Sequence, residues 1–282
     1  MNGASASRRA ALAALFVLLG CAGIAELAAC DSFGEAATAS DAAAASPDGA
    51  VEAAPQGGGA FSCLPGAFCD SFDEATPLPR DWSSMATRLL ATQAVVPDAG
   101  LDGSGALVVT ARVADGGVPG AYQSAQLRRD IGVGGPTTYT LVVAYAARAD
   151  PVTSGVIQGP RFSTQTGTDS RELIVEFRDG YTRLNTYAPS CDGGCKVDAK
   201  ETLVGREWHH YVLTIEAHPT TGDGYGTITY EIDGTVAVSD KLPFPLSAPS
   251  KYGMLVGLTY ASPMFAGTMT FDDVSILLTP SR

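Results

Sequence analysis

Lysine is scarce in this chain, with only Lys196, Lys200, Lys241 and Lys251 among 282 residues. Acidic residues outnumber lysine plus arginine 30 to 18, which gives a formal net charge of −12. No basic run follows Arg9. Neutralising a phosphate backbone needs such a run, so nucleic-acid binding is excluded. Histidine is scarcer still: His209, His210 and His218 are the complete set. The first two are adjacent in an extended segment and point to opposite faces, which excludes a three-histidine metal site. Neither a Gly-rich phosphate loop nor a G-x-S-x-G nucleophile elbow occurs. Past residue 60 no segment sustains a 3.6-residue apolar period, so helices do not form the framework.

The N-terminus carries an address. Arg8 and Arg9 precede an apolar run of 11 residues, Ala10 to Gly20. That run is too short to span a bilayer and has the length of a signal-peptide core. Leu27-Ala28-Ala29-Cys30 follows. It resembles the lipobox of bacterial lipoproteins, in which small residues admit the peptidase and the cysteine thiol receives lipid. The expected division is a signal peptide over 1–29, Cys30 as the lipidated first residue, and export to the bacterial cell envelope, in the periplasm or at the cell surface. Cys21 after Leu18-Leu19-Gly20 is a second candidate anchor, and a plain secretory or twin-arginine signal is the alternative.

Residues 31–60 hold 11 alanines, five acidic residues and no basic ones, and Gly57-Gly58-Gly59 closes the stretch. Too little there can be buried to offset ordering entropy, so 30–60 is expected to be a disordered tether. Its root-mean-square span is roughly 30 Å. The globular part is then 61–282, a length that suits one large β-sandwich.

Four of the six cysteines lie in that part, as the close pairs Cys63/Cys69 and Cys191/Cys195. An exported chain matures where disulfides form. Local pairing is one of three connectivities, and it is favoured because Asp192-Gly193-Gly194 is a turn that brings Cys191 to Cys195. A four-cysteine zinc site fits these spacings poorly.

From residue 85 the chain is a succession of extended segments, at 89–96, 105–112, 121–128, 137–148, 155–163, 171–178, 181–187, 201–204, 208–217, 225–232, 235–241, 252–261 and 266–278. They are rich in Thr, Val, Tyr and Ile and are punctuated by Gly, Pro and Asp. This many strands in one domain predict an all-β fold of two stacked antiparallel sheets. Asp179-Gly180 and Asp233-Gly234 each sit between two such segments, and an Asp-Gly pair supplies the positive φ angles of a two-residue turn. Trp208 is assigned to the core.

The run Trp208-His209-His210-Tyr211-Val212-Leu213-Thr214-Ile215, with Tyr230-Glu231-Ile232-Asp233-Gly234 after it, resembles the concanavalin A-like jelly rolls. That group includes laminin-G-like domains, legume-type lectins and family 16 glycoside hydrolases. Cys69-Asp70-Ser71-Phe72-Asp73 and Phe271-Asp272-Asp273-Val274-Ser275-Ile276 resemble the first and last strands of such domains. The resemblance covers about 61–282 and implies the fold. It leaves function open, because this fold hosts lectins, hydrolases, lyases and adhesion modules. It also makes Asp272 and Asp273 candidate ligands for a structural calcium; no other cofactor is expected.

A two-residue turn at Asp179-Gly180 fixes a register. Arg178 then faces Tyr181, Glu176 faces Arg183, Ile174 faces Asn185 and Glu172 faces Tyr187, all on one side of the sheet. Leu173, Val175, Phe177, Thr182, Leu184 and Thr186 take the other side and should meet the core. Glu172-Leu173-Ile174-Val175-Glu176-Phe177 resembles the catalytic strand of family 16 glycoside hydrolases. The resemblance would make Glu172 the nucleophile and Glu176 the acid/base of a retaining pair. The aspartate expected between them is Ile174 here, and an acid paired with Arg183 is a poor proton donor. The expected function is therefore carbohydrate binding. Tyr181 and Tyr187 would be stacking platforms, and Glu172, Glu176, Arg178, Arg183 and Asn185 would be hydroxyl partners. A degenerate glycoside hydrolase or polysaccharide lyase, and a structural or adhesive envelope protein, are the alternatives.

Overall fold

The computed structural model describes residues 63–74, 76–113, 121–132, 138–151, 155–166, 169–188, 197, 200–221, 224–244 and 251–280. The signal, lipobox and tether segments and the pair Cys191/Cys195 lie outside the described residues. Two antiparallel sheets form a concanavalin A-like jelly-roll sandwich.

The first sheet runs β13 (Thr235–Lys241), β12 (Gly224–Ile232), β11 (His209–Thr221), β6 (Tyr139–Pro151), β15 (Gly267–Pro280), β4 (Ala106–Ala111) and β3 (Thr92–Val96), and β1 (Phe68–Asp70) adds to β15. The second runs β10 (Thr202–Leu203), β9 (Tyr181–Tyr187), β8 (Asp169–Arg178), β7 (Val156–Thr166), β14 (Lys251–Ala261), β5 (Gln123–Gly132) and β2 (Ser84–Arg88).

Alternating residues of both sheets fill the space between them. Leu173, Val175 and Phe177 of β8 and Leu184 of β9 are buried there, as are Leu141 and Val143 of β6 and Leu213 and Ile215 of β11. Aromatic rings bind the sheets together. Tyr211 stacks on Tyr145 at 5.1 Å and on Tyr230 at 6.0 Å within the first sheet. Phe177 of the second sheet meets Tyr211 edge-on at 5.7 Å. Burial pushes the phenols of Tyr145, Tyr211 and Tyr230 well above their usual range, so they stay neutral.

Cys63 and Cys69 form a disulfide at the start of the domain. Only 92–96 of the anticipated segment at 89–96 is extended, as β3; β2 precedes it and was not anticipated, and Leu89 at φ 56° lies between the two. All five residues of β2 are exposed at a sheet edge, so it carries no alternation by which it could be read. Trp208 is half-buried rather than in the core, with the Arg148 guanidinium 5.2 Å above its ring. The buried tryptophan is Trp82, whose Nε1–H donates to Asp70 Oδ2 at 2.8 Å.

The turn at Asp233-Gly234 has both φ values positive, 50° and 74°, as a type I′ hairpin requires. The turn at Asp179-Gly180 does not follow that pattern. Only Gly180 has positive φ, 83°. Its carbonyl accepts hydrogen bonds from the Val204 and Gly205 amides at 2.7 and 2.9 Å, so a tertiary contact helps set this turn.

Candidate functional site

The hairpin β8–β9 has the anticipated register: Glu172↔Tyr187, Ile174↔Asn185, Glu176↔Arg183 and Arg178↔Tyr181. The opposite set, Leu173, Val175, Phe177, Thr182, Leu184 and Thr186, is buried in the core. The charged set therefore occupies the outer face of the second sheet. Tyr181 and Tyr187 are 43 % and 53 % exposed there.

The ion pair on this face is not the exposed one that strand alternation suggests. Glu176 retains only 5 % of its surface. Its Oε2 accepts from Arg183 Nε at 2.7 Å, and its Oε1 accepts from Gln158 Nε2 at 3.1 Å and Asn185 Nδ2 at 3.2 Å. Three donors offset the cost of taking this carboxylate out of water. Glu201 lies 3.6 Å from Arg183 and 3.7 Å from Arg178, which extends the pairing toward β10.

Two residues of β7 complete the network, and neither is signalled directly by strand alternation. Arg161 Nη1 lies 3.2 Å from Glu172, and Arg161 Nη2 donates to Gln158 Oε1 at 3.4 Å. Ser170 Oγ donates to Glu172 at 3.4 Å. Gln158 and Arg161 are three apart, so a regular strand would send them to opposite faces. A β-bulge puts them on one: three steps of β7 oppose two of β8 between the pairs Gln158↔Glu176 and Arg161↔Ile174. The bulge holds Gly159-Pro160. A Cβ on Gly159 would stand 2.8 Å from the Phe177 ring and 2.9 Å from the Met269 side chain, so the core admits only glycine at that point without moving. Proline has no amide to lose from the ladder. Thr259 Oγ1 donates to the freed carbonyls of Gln158 and Gly159 at 3.1 and 2.9 Å. A Gly-Pro pair inside a strand is the signal that could have disclosed this.

Glu172 and Glu176 thus do not lean on each other. Four residues of unbroken strand separate their Cα atoms by about 13 Å, and Arg161 and Gln158 join their carboxylates by hydrogen bonds. Ile174 between them is buried and has no polar atom to offer either one. Every oxygen of Glu176 is already occupied by a donor. Such a network can present amides, guanidinium groups and carboxylate edges to a ligand rich in hydroxyls. It leaves no poised proton donor.

The same face continues across β14, β5 and β2. Tyr260 of β14 pairs with Gln158 and is 41 % exposed. Its ring stacks on Tyr122 at 5.6 Å, and the Arg88 guanidinium lies 3.9 Å above the Tyr122 ring.

Two other polar clusters lie elsewhere in the domain. Asp70 accepts from the Phe72 amide, Arg80 and Trp82, each at 2.8 Å, beside a cavity of about 350 Å³. Asp272 accepts from the Leu101 amide at 3.0 Å, Ser104 Oγ at 2.8 Å and the Asp273 amide at 2.8 Å. These three donors hold Asp272 to the loop that carries Leu101 and Ser104, and the charges of Asp272, Asp102 and Asp73 act on Asp273. Among the described residues no group of three or more His, Cys, Asp or Glu side chains converges as a metal site.

No protein-family model matches the chain, and no curated protein matches it by sequence. Solved structures do. The endo-β-1,4-glucuronan lyase of Trichoderma reesei superposes with a TM-score of 0.55 at 15 % identity, covering 72 % of this chain and 92 % of the lyase. The family 16 endo-glucanase of Bacteroides ovatus superposes with a TM-score of 0.48 at 12 % identity, covering 74 % and 99 %. At these identities the likeness is one of fold. The chain is a concanavalin A-like jelly roll and shares that fold with the lyase.

Proposed function

We propose that this chain is an exported envelope protein, anchored by lipid at Cys30, whose sandwich binds carbohydrate on the outer face of the second sheet. The observation that carries the reading is the hydrogen-bonded run Glu172–Arg161–Gln158–Glu176–Arg183, flanked by the exposed rings of Tyr181, Tyr187 and Tyr260. Aromatic rings present apolar area to a sugar's C–H face, while fixed amides, guanidinium groups and carboxylates match its hydroxyls. The glucuronan lyase that shares the fold acts on a polysaccharide, which supports the same ligand class here.

Binding without catalysis is the reading the geometry favours. A retaining glycosidase holds its two carboxyl groups about 5–5.5 Å apart and keeps one of them protonated. Here an arginine and a glutamine join the two carboxylates, and the second one is saturated with donors.

The test is a glycan array probed with the full chain, followed by titration of the best ligand. Tyr187→Ala should weaken binding about tenfold, a loss of about 1.4 kcal/mol, with an unchanged unfolding midpoint. An array without a binder, together with a membrane pull-down that free sugars do not compete, would replace this reading with a protein-binding one. The anchor has its own test. Cys30→Ala should leave the membrane fraction, whereas continued partitioning of that variant, with release of Cys21→Ala, would move the anchor to Cys21.

A further inference from the structure

The outer face of the second sheet is not charge-balanced. Among its described side chains, Arg88, Arg128, Arg161, Arg178 and Arg183 face Asp130, Glu172, Glu176 and Glu201. Four of the arginines are engaged by carboxylates: Arg128 by Asp130 at 2.6 Å, Arg161 by Glu172 at 3.2 Å, Arg178 by Glu201 at 3.7 Å, and Arg183 by Glu176 at 2.7 Å. Arg88 is not. Its guanidinium is exposed and rests on the Tyr122 ring at 3.9 Å.

Position adds to this. Arg88 pairs in register with Ser124, two residues along β5 from Tyr122, and Tyr260 pairs with Gln158, which donates to Glu176. Arg183, Glu176, Gln158, Tyr260, Tyr122 and Arg88 therefore form one row perpendicular to the strands. The row crosses five inter-strand steps from β9 to β2, about 24 Å, or several sugar units in length. A polymer lying along it would meet neutralised side chains at the β9 end. At the β2 end it would meet an aromatic pair capped by an unpaired cation.

We infer that Arg88, Tyr122 and Tyr260 form a subsite for an acidic sugar, with the exposed Tyr260 ring stacking on the sugar, Tyr122 holding the guanidinium, and the guanidinium receiving the sugar's carboxylate or sulfate ester. This inference rests on the carbohydrate-binding reading above. A guanidinium fork matches the paired oxygens of either group, and its plane is held by the tyrosine beneath it. The chain's net charge of −12 opposes the approach of anions from a distance. At physiological salt that repulsion is screened beyond about 8 Å, so the local cation decides the contact.

The test compares acidic and neutral glycans on the same full chain. An array carrying neutral, uronate-containing and sulfated polysaccharides gives the first readout. Titration of matched neutral and acidic oligosaccharides at low and high salt gives the second. The acidic form should bind about fivefold more tightly at low salt, the size of one exposed ion pair. The gap should narrow at high salt. Arg88→Gln should bring the acidic-to-neutral affinity ratio to about one, and Arg88→Lys should restore part of it. Arg148→Gln, altering an arginine of the first sheet that lies over Trp208, should leave the ratio as it was. Uronate or sulfate arms above neutral ones would identify which anion is preferred. Equal binding of acidic and neutral forms, or a ratio that survives Arg88→Gln, overturns the subsite and leaves carbohydrate binding standing. No binding of any glycan overturns both.

Discussion

The two sheets of this sandwich show very different outer faces. On the first, β11 and β6 present Val212, Thr214, Ala144 and Val142, small or β-branched residues at paired positions. Glu216 there takes one hydrogen bond from Thr227, at 3.0 Å, and is exposed. On the second, a carboxylate is almost wholly removed from water and held by three donors, among arginines and tyrosines. Val and Thr suit a half-buried pleated surface and build a sheet cheaply. A buried, fully partnered carboxylate adds little net stability over an apolar residue, because desolvation consumes most of the attraction. The first face is what stability requires. The second carries a cost that stability does not explain, and the proposed recognition of a polar ligand would.

The contrast breaks most severely if charge is moved to the wrong side of β8. Val175→Asp places an unpaired carboxylate opposite Leu184 in the core, and we expect loss of the cooperative unfolding transition in thermal or denaturant melts. Thr214→Asp, on the outer face of the first sheet, should change stability by no more than about 0.5 kcal/mol. A folded Val175→Asp protein would mean that the inner and outer sides are exchanged.

Glu176→Ala sharpens the contrast at smaller size. Gln158 and Asn185 would lose an acceptor, while Arg183 would keep Glu201 at 3.6 Å. Denaturant titration should show a loss of about 1–3 kcal/mol. Glu216→Ala on the other sheet should cost less than about 0.5 kcal/mol. Equal losses would mean that the second face is an ordinary solvated one. Gly159→Ala tests the bulge. Its new Cβ meets the Phe177 ring and the Met269 methyl below 3.0 Å, and overpacking should cost about 1–3 kcal/mol. Because the bulge aims both Gln158 and Arg161, ligand affinity should fall with it.

Strand alternation was enough to reveal the sandwich and the β8–β9 register, because a one-residue slip would send Glu176 and Arg183 into the core. It could not reveal half of the site. Gln158 and Arg161 reach one face through a bulge that violates the period, and Tyr122, Tyr260 and Arg88 meet across strands distant in sequence. The burial of Glu176 was hidden for the same reason. The hairpin places Arg183 and Asn185 beside it, but the third donor comes from β7. The β8–β9 turn likewise differs from the Asp-Gly pattern because a loop more than 20 residues away donates to its carbonyl.

The smallest expected effect comes from two aspartates that share a backbone conformation and differ in surroundings. Asp233 and Asp273 both have left-handed φ, 50° and 51°. Partial burial would raise Asp233, but His209 Nδ1 at 2.6 Å and the His210 amide at 2.9 Å outweigh it and hold its carboxyl below the usual value of 3.8. Among the described residues Asp273 has no such partners. Burial first, and then the charges of Asp272, Asp102 and Asp73, push it up to about 7. A raised folded-state value means that the native protein holds a proton the unfolded chain has released, so stability should fall as pH rises from about 4 to about 7. The lowered value at Asp233 acts oppositely: its contribution is present above 3.8 and is lost as pH falls through the depressed value. Asp273 is half-buried, and screening through its exposed part reduces its share to an expected shift of about 1–2 °C in the melting midpoint. Asparagine tolerates the same backbone, so Asp273→Asn removes the charge without new strain. Melting midpoints measured from pH 4.5 to 7.5 should decline less in Asp273→Asn than in the parent chain. Parallel curves would mean that the neighbouring carboxylates do not act on Asp273.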